Sequence, residues 1–210
     1  MNKTVKTGIM GGTFDPIHIG HLILAQAAYQ QLELDRVLFI PAGRPPHKKD
    51  RKGASDEERT AMVELAVSGD PAFEVDLLEM ESQEYSYTYI TLEKLHRKYP
   101  HDDFYFIIGQ DSLEKFETWR EPARIVEQAH IVAADRPDCD ISRMEYELER
   151  NRKKFGGDFI SIECPDIQIS SHEIRERMAA GLSCRYYVPD SVFDYMTEHH
   201  IYTADKHSED

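Results

Sequence analysis

Short apolar runs alternate along the chain with longer stretches in which apolar side chains return every three or four residues. Val5–Met10, Val37–Ile40, Phe104–Ile108 and His130–Ala134 are dense in Val, Ile and Phe and read as buried strands. After the first of them Leu22, Ala25, Tyr29 and Leu32 share one helical face, and the same periodicity returns in Met62–Val67, Ile90–Leu95 and Ile125–Ala129. Further on, Ser142–Phe155 reads as a highly charged helix, Phe159–Ile162 as a short strand and Ser171–Ala180 as a helix stopping before Gly181. Strands that alternate with helices must pair in parallel. The pattern therefore predicts an α/β protein with a doubly wound parallel sheet and a small C-terminal helical extension. No internal repeat or Ser/Gly-rich linker divides it, so residues 1–204 are expected as a single domain and 205–210 as a polar, frayed tail.

Composition narrows the possible partners. The 210 residues carry 25 Lys and Arg against 39 Asp and Glu, a net charge of −14, which argues against nucleic acid or an anionic membrane as partner. No apolar run reaches the roughly 20 residues needed to cross a bilayer, and Met1–Lys6 lacks the apolar stretch of a signal peptide, so a cytoplasmic location is expected. Cys139, Cys164 and Cys184 are three, widely spaced and without a CxxC pair, and are read as reduced thiols. One stretch reverses the overall sign. Pro41–Gly53 holds Arg44, Lys48, Lys49, Arg51 and Lys52 against Asp50, a surface that suits an anionic ligand or a solvated loop equally well.

The chemistry concentrates in Gly11-Gly12-Thr13-Phe14-Asp15-Pro16-Ile17-His18-Ile19-Gly20-His21, between the first strand and the first helix. In doubly wound sheets this is where phosphates bind, because glycines let a ligand approach the backbone and a helix start offers unpaired N–H groups. His18 and His21, three apart, can face the same way, and Gly20 leaves room between them. The glycine spacing is not GxGxxG, and no Gly-Lys-Ser/Thr follows, so neither a dinucleotide fingerprint nor a P-loop is present. A histidine-pair metal site and a purely structural pair remain as alternatives, the first without a third ligand at a diagnostic spacing.

The segment His18-Ile19-Gly20-His21 resembles the (H/T)xGH signature of the nucleotidyltransferase superfamily, and Ile169-Ser170-Ser171-His172-Glu173-Ile174-Arg175 resembles its ISSxxIR signature, in the expected order. His172 stands where that signature often has Thr. Between about Lys6 and Tyr202 the chain is most similar to the bacterial nicotinate mononucleotide adenylyltransferases. The likeness rests on Pro45-Pro46-His47-Lys48, Tyr85-Ser86-Tyr87-Thr88 with Thr91-Leu92, Ile107-Ile108-Gly109-Gln110-Asp111 followed by Trp119, Arg185-Tyr186-Tyr187-Val188-Pro189 and His200-Ile201-Tyr202.

That resemblance implies a Rossmann-like nucleotidyltransferase fold and a step of NAD biosynthesis, adenylyl transfer from ATP to nicotinate mononucleotide with release of pyrophosphate. It implies His18, His21 and Arg175 as catalytic groups, and Gly11, Gly12, Thr13, Phe14, Lys48, Ser170 and Ser171 around ATP and its phosphates. Gly109 and Asp111 would hold a ribose, with Asp111 as a helix cap the plainer alternative. Ser86, Tyr87, Thr88 and Trp119 would border the pyridine ring. Mg²⁺ is the implied cofactor, carried largely by substrate and water, and no protein metal ligand is expected. A phosphopantetheine or nicotinamide mononucleotide acceptor and a non-catalytic nucleotide-binding module are the competing readings. A homo-oligomer is compatible with the sequence.

Overall fold

In the computed structural model, residues 4–44, 53–82, 84–135 and 141–204 are described. Lys48, with the rest of the cationic stretch at 45–52, Cys139 and the tail at 205–210 lie outside them. The chain runs β1 (Val5–Gly12), α1 (Ile19–Gln31), β2 (Arg36–Pro41), α2 (Asp56–Val67), β3 (Phe73–Val75), α3 (Thr88–Lys98), β4 (Asp102–Ile108), α4 (Gln110–Glu114), a 3₁₀ turn at Phe116–Thr118, α5 (Pro122–Val126), β5 (His130–Asp135), α6 (Ile141–Phe155), β6 (Phe159–Glu163), α7 (Ser171–Ala179) and α8 (Asp190–Glu198).

The six strands form one all-parallel sheet in the order β3-β2-β1-β4-β5-β6. Alternate side chains of each strand feed opposite cores, as a parallel sheet covered on both faces requires. Met10, Phe39 and Ile107 join Ala25 and Ala28 of α1, Met62 and Val63 of α2, Ile174 of α7, and Val192 and Met196 of α8. Ile9, Leu38 and Phe106 face the other way, against Leu92 of α3, Ile125 of α5 and Met144 and Leu148 of α6. Each such fully buried Val, Leu, Ile, Phe or Met side chain contributes roughly 1.5–3 kcal/mol of transfer free energy. The C-terminal extension is therefore part of the first core, with α8 packed on α2.

The periodicity did not predict β3. It has three residues with exposed Glu74 in the middle, too short to form a pattern, and among the described strands it pairs only with β2. The direction in which strands are added to the sheet reverses between β1 and β4, because β2 and β3 lie on one side of β1 and β4 to β6 on the other. A crevice opens at the carboxyl ends of the strands at that switch point, the position where open α/β sheets take their ligands.

Candidate active site

The crevice is a cavity of about 510 Å³, in the range of a small-ligand site. Its floor is the ends of β1 and β4, including Gly11, Gly12 and Gly109. One wall is the start of α1 with His18 and His21, another the start of α7 with Ser170 and Ser171, and a third Ser86, Thr88 and Trp119.

Local geometry sets up the histidine pair. His18 precedes α1 in an extended conformation (φ −144°, ψ 169°), and its backbone N–H donates to His21 Nδ1 at 3.2 Å. With Nδ1 accepting, the proton of a neutral His21 ring sits on Nε2. The rings stack with centroids 3.7 Å apart at 29°. Gly20 permits this: a Cβ there would stand 3.1 Å from His18 Nδ1. Phe14, held at a φ of +49°, sets its ring edge-on to His21 at 5.1 Å, and a Cβ on Gly12 would meet the Phe14 ring at 2.9 Å. Burial pushes the His18 pKa down to about 4. His21 is held well below the usual imidazole range, first by burial and then by the neighbouring His18. Both rings are neutral at pH 7 and offer N–H donors instead of fixed charge.

At α7 the two serines divide the work. Ser170 caps the helix by accepting from Glu173 N–H at 3.1 Å, and Ser171 donates to the Pro16 carbonyl at 2.8 Å, tying this helix to the β1–α1 loop. Arg175 donates from Nη1 to the Asp15 carbonyl at 2.6 Å, behind that loop and outside the cavity lining. His172 points to solvent beside Glu176, away from Ser171 and Arg175. Thr13 and Phe14 lie in the loop without lining the cavity; the Thr13 carbonyl accepts from Arg59 Nη1 at 2.7 Å.

On the remaining wall Trp119 has one side in the core against Phe106 and Phe116 and the other on the cavity. Thr88 opens α3 at the cavity edge; the helix start bears no side-chain cap, and the Ile90 and Thr91 N–H groups donate to the Tyr87 carbonyl. Ser86 lines the cavity with its side chain already engaged: its Oγ accepts from Arg44 N–H at 3.2 Å and its hydroxyl meets half-buried Glu79. Tyr87 stacks with Tyr89 beyond the lining. Asp111 is exposed in the first turn of α4, whose cap is Gly109, so Asp111 is not the cap.

Residues 9–177 match the cytidylyltransferase-like family. A relative from Lachnoclostridium phytofermentans named "Probable nicotinate-nucleotide adenylyltransferase" is 42% identical over 197 residues, covering 94% of this chain and 98% of the relative. One from Thermoanaerobacter sp. with the same name is 38% identical over 207 residues, covering 98% of each. The chain belongs to the nicotinate-nucleotide adenylyltransferase family. Among solved structures, Plasmodium falciparum nicotinic acid mononucleotide adenylyltransferase complexed with NaAD superposes with a TM-score of 0.73 at 21% identity, covering 94% of this chain and 97% of that one, a likeness of fold.

Sequence reasoning passed over two groups at this family site. Glu79 lines the cavity, accepts from Thr91 Oγ1 at 2.5 Å, and burial pushes its carboxyl pKa up. Nothing near Glu79 in the sequence marks it, since its partners Gly43, Ser86 and Thr91 lie on other segments. Arg59, fully buried, holds the Thr13 carbonyl and Asp56; a lone Arg among the apolar positions of α2 was the available signal.

Proposed function

We propose that this chain transfers the adenylyl group of ATP to nicotinate mononucleotide, giving nicotinate adenine dinucleotide and pyrophosphate. The observation that carries the proposal is the stacked, neutral histidine pair at the switch-point cavity, between the starts of α1 and α7. A 5′-phosphate oxygen of the acceptor attacks the α-phosphorus of ATP and the α–β bridging oxygen leaves with pyrophosphate. The nucleophile is already anionic, so the protein's tasks are alignment and stabilisation of charge on the α-phosphate.

His21 Nε2–H and His18 supply donors without the charge that would hold ground-state ATP too tightly. Glycine backbone at Gly11 and Gly12 admits the nucleotide, and the Ser170–Ser171 helix start receives phosphate oxygens. Arg175 uses Nη1 on Asp15, which leaves Nε and Nη2 for the β- and γ-phosphates. Lys48 and Asp111 are assigned here to phosphate and ribose, Thr13 and Phe14 to shaping the loop. The cavity presents amide, imidazole and hydroxyl donors, a set that suits triphosphate oxygens, and those oxygens are the hard ligands Mg²⁺ takes. The ion, arriving with ATP, would neutralise charge on the phosphates. Consumption of ATP argues for a cytoplasmic location.

For the acceptor, Trp119 borders the pyridine ring and Thr88 at the start of α3 meets its carboxylate, the anion a helix start favours. Tyr87 supports that turn from outside. A nicotinamide would set its NH₂ against those donors and leave one unpaired, at roughly 1–3 kcal/mol each. Pyrophosphate release measured side by side with nicotinate mononucleotide, nicotinamide mononucleotide and phosphopantetheine tests the reading. The expected result is a strong preference for the first. Equal specificity constants for the first two overturn the acceptor assignment, and no turnover with any of them leaves a nucleotide-binding module.

A further inference from the structure

Three segments meet on one carboxyl group of the cavity lining. Glu79, between β3 and α3, accepts from Thr91 Oγ1 at 2.5 Å, from the Ser86 hydroxyl and from the Gly43 N–H. Ser86 is in turn bonded both ways to Arg44, which donates its N–H to Ser86 Oγ at 3.2 Å and accepts from Ser86 N–H at 3.0 Å. Gly43 brings the backbones together as well: a Cβ there would lie 2.2 Å from the Glu79 carbonyl oxygen, so the exit of β2 can approach this closely only as glycine. Thr91, in the first turn of α3, is buried, and Lys94 one turn further on stands close enough to favour the ionised carboxyl while bonding Ser82 at 2.8 Å and Glu84 at 2.9 Å.

A carboxylate on the lining of a cavity for anionic substrates opposes them by its charge, so its place there calls for another use. With about four lone-pair sites it can collect three donors at once, which an amide of the same length cannot do without setting donor against donor. Resting on the reading of the wall at Ser86, Thr88 and Trp119 as the acceptor's, we propose that Glu79 is a positioning residue for nicotinate mononucleotide, its carboxyl fixing the start of α3 against the exit of β2. The ties through Ser86 and Thr91 bracket Thr88, the cavity-lining residue between them that opens the helix. Without the carboxyl, both hydroxyls and the Gly43 N–H lose their common acceptor, and Thr88 loses the constraint on either side. The loss falls on the acceptor and spares ATP, whose groups at His18, His21 and Ser171 are carried by the starts of α1 and α7.

Glu79→Ala removes the tie, and Glu79→Gln keeps its shape while turning one oxygen into a donor. Affinities for nicotinate mononucleotide and, separately, for an ATP analogue that cannot be cleaved between the α- and β-phosphates are measured by calorimetry, beside steady-state constants for both substrates. We expect the acceptor to bind about tenfold more weakly to Glu79→Ala and about threefold more weakly to Glu79→Gln, with its KM rising in step and affinity for the ATP analogue unchanged. Because Glu79 acts through Thr91, Thr91→Val added to Glu79→Ala should weaken acceptor binding by less than about twofold beyond the worse single variant. Unchanged acceptor affinity in both variants at position 79, an equal loss for both substrates, or losses that multiply in the double variant overturn the proposal. If Glu79→Ala does not fold, Glu79→Gln alone decides and the double variant is built on it. Thr88→Val tests the wall itself: unchanged acceptor affinity there takes the acceptor reading and this proposal down together, whereas a loss with Thr88→Val and none at position 79 removes only the proposal.

Discussion

The two ends of the sheet are built on opposite electrostatic rules. At the amino ends of the strands the charges are paired within the protein. Arg36 bonds Asp102 at 2.8 Å and Glu74 at 3.1 Å, lies over the Tyr99 ring at 4.5 Å, and shares Thr7 with Asp102. His130 sits between Asp158 at 2.9 Å and Asp103 at 3.1 Å. At the carboxyl ends His18 and His21 are set against each other and a phenyl edge, with no carboxylate bonded to either ring among the described residues. A histidine with an acceptor already in place has little left for a ligand; an unsolicited donor in a dry cavity is stabilised by an arriving phosphate. The amino end holds the fold and the carboxyl end keeps its polarity in reserve.

Swapping the damage between ends should separate the two roles. His21→Ala is expected to cut kcat/KM by a factor on the order of 10²–10³, about 3–4 kcal/mol of barrier, with little change in thermal midpoint. Arg36→Ala should do the reverse: it strands the Asp102 carboxylate with Thr7 alone and costs about 1–3 kcal/mol of stability, leaving kcat/KM of the folded protein as it was. Assay and thermal melt on both variants decide it, and a folded His21→Ala protein with full turnover would end the catalytic assignment.

How far this division is legible in the sequence depends on the range of the contacts. The glycines and histidines of Gly11–His21 announce a ligand-binding strand-to-helix turn because the turn is local, and the cap at Ser170 is local too. Strand and helix periodicity gave the parallel sheet wherever an element was long enough to repeat; β3 was not. The partners of Asp15, at 54, 175 and 202, and those of Glu79, at 43, 86 and 91, come together only through tertiary packing, and no spacing rule reaches them. The partners of Ser86, Arg44 N–H and Glu79, are tertiary for the same reason, though Ser86 itself lines the cavity as expected of a residue near the ligand.

Acid should find the difference between the ends. In the unfolded chain both histidines of the pair take up protons near the ordinary imidazole pKa of about 6.5, whereas folded His18 resists protonation down to about 4. The unfolded state therefore binds more protons in that window, and stability present above pH 6.5 is lost as pH falls toward 4, by about 3 kcal/mol for His18. Denaturant unfolding of wild type and His18→Ala at pH 7.5, 6, 5 and 4.5 should show the variant losing less. Parallel curves would mean that the cavity admits enough water to solvate an imidazolium.

The smallest change touches the geometry of the pair alone. Gly20 is the second residue of α1, where Ala is the better helix former by up to about 1 kcal/mol, so Gly20→Ala should leave the thermal midpoint level or slightly raised. Its new Cβ, however, would lie 3.1 Å from Nδ1 and 3.2 Å from Cε1 of His18, closer than carbon comfortably packs against a ring. The imidazole must shift by a few tenths of an ångström, and the shift is taken out of the stack with His21. Because the rings act by aiming donors at one phosphate, turnover should fall about tenfold even though nothing charged, bonded or buried has been removed. Melting and kcat/KM moving in opposite directions is the expected signature; full turnover in a folded Gly20→Ala protein would show that the stack tolerates displacement and that its close geometry is not what the glycine is for.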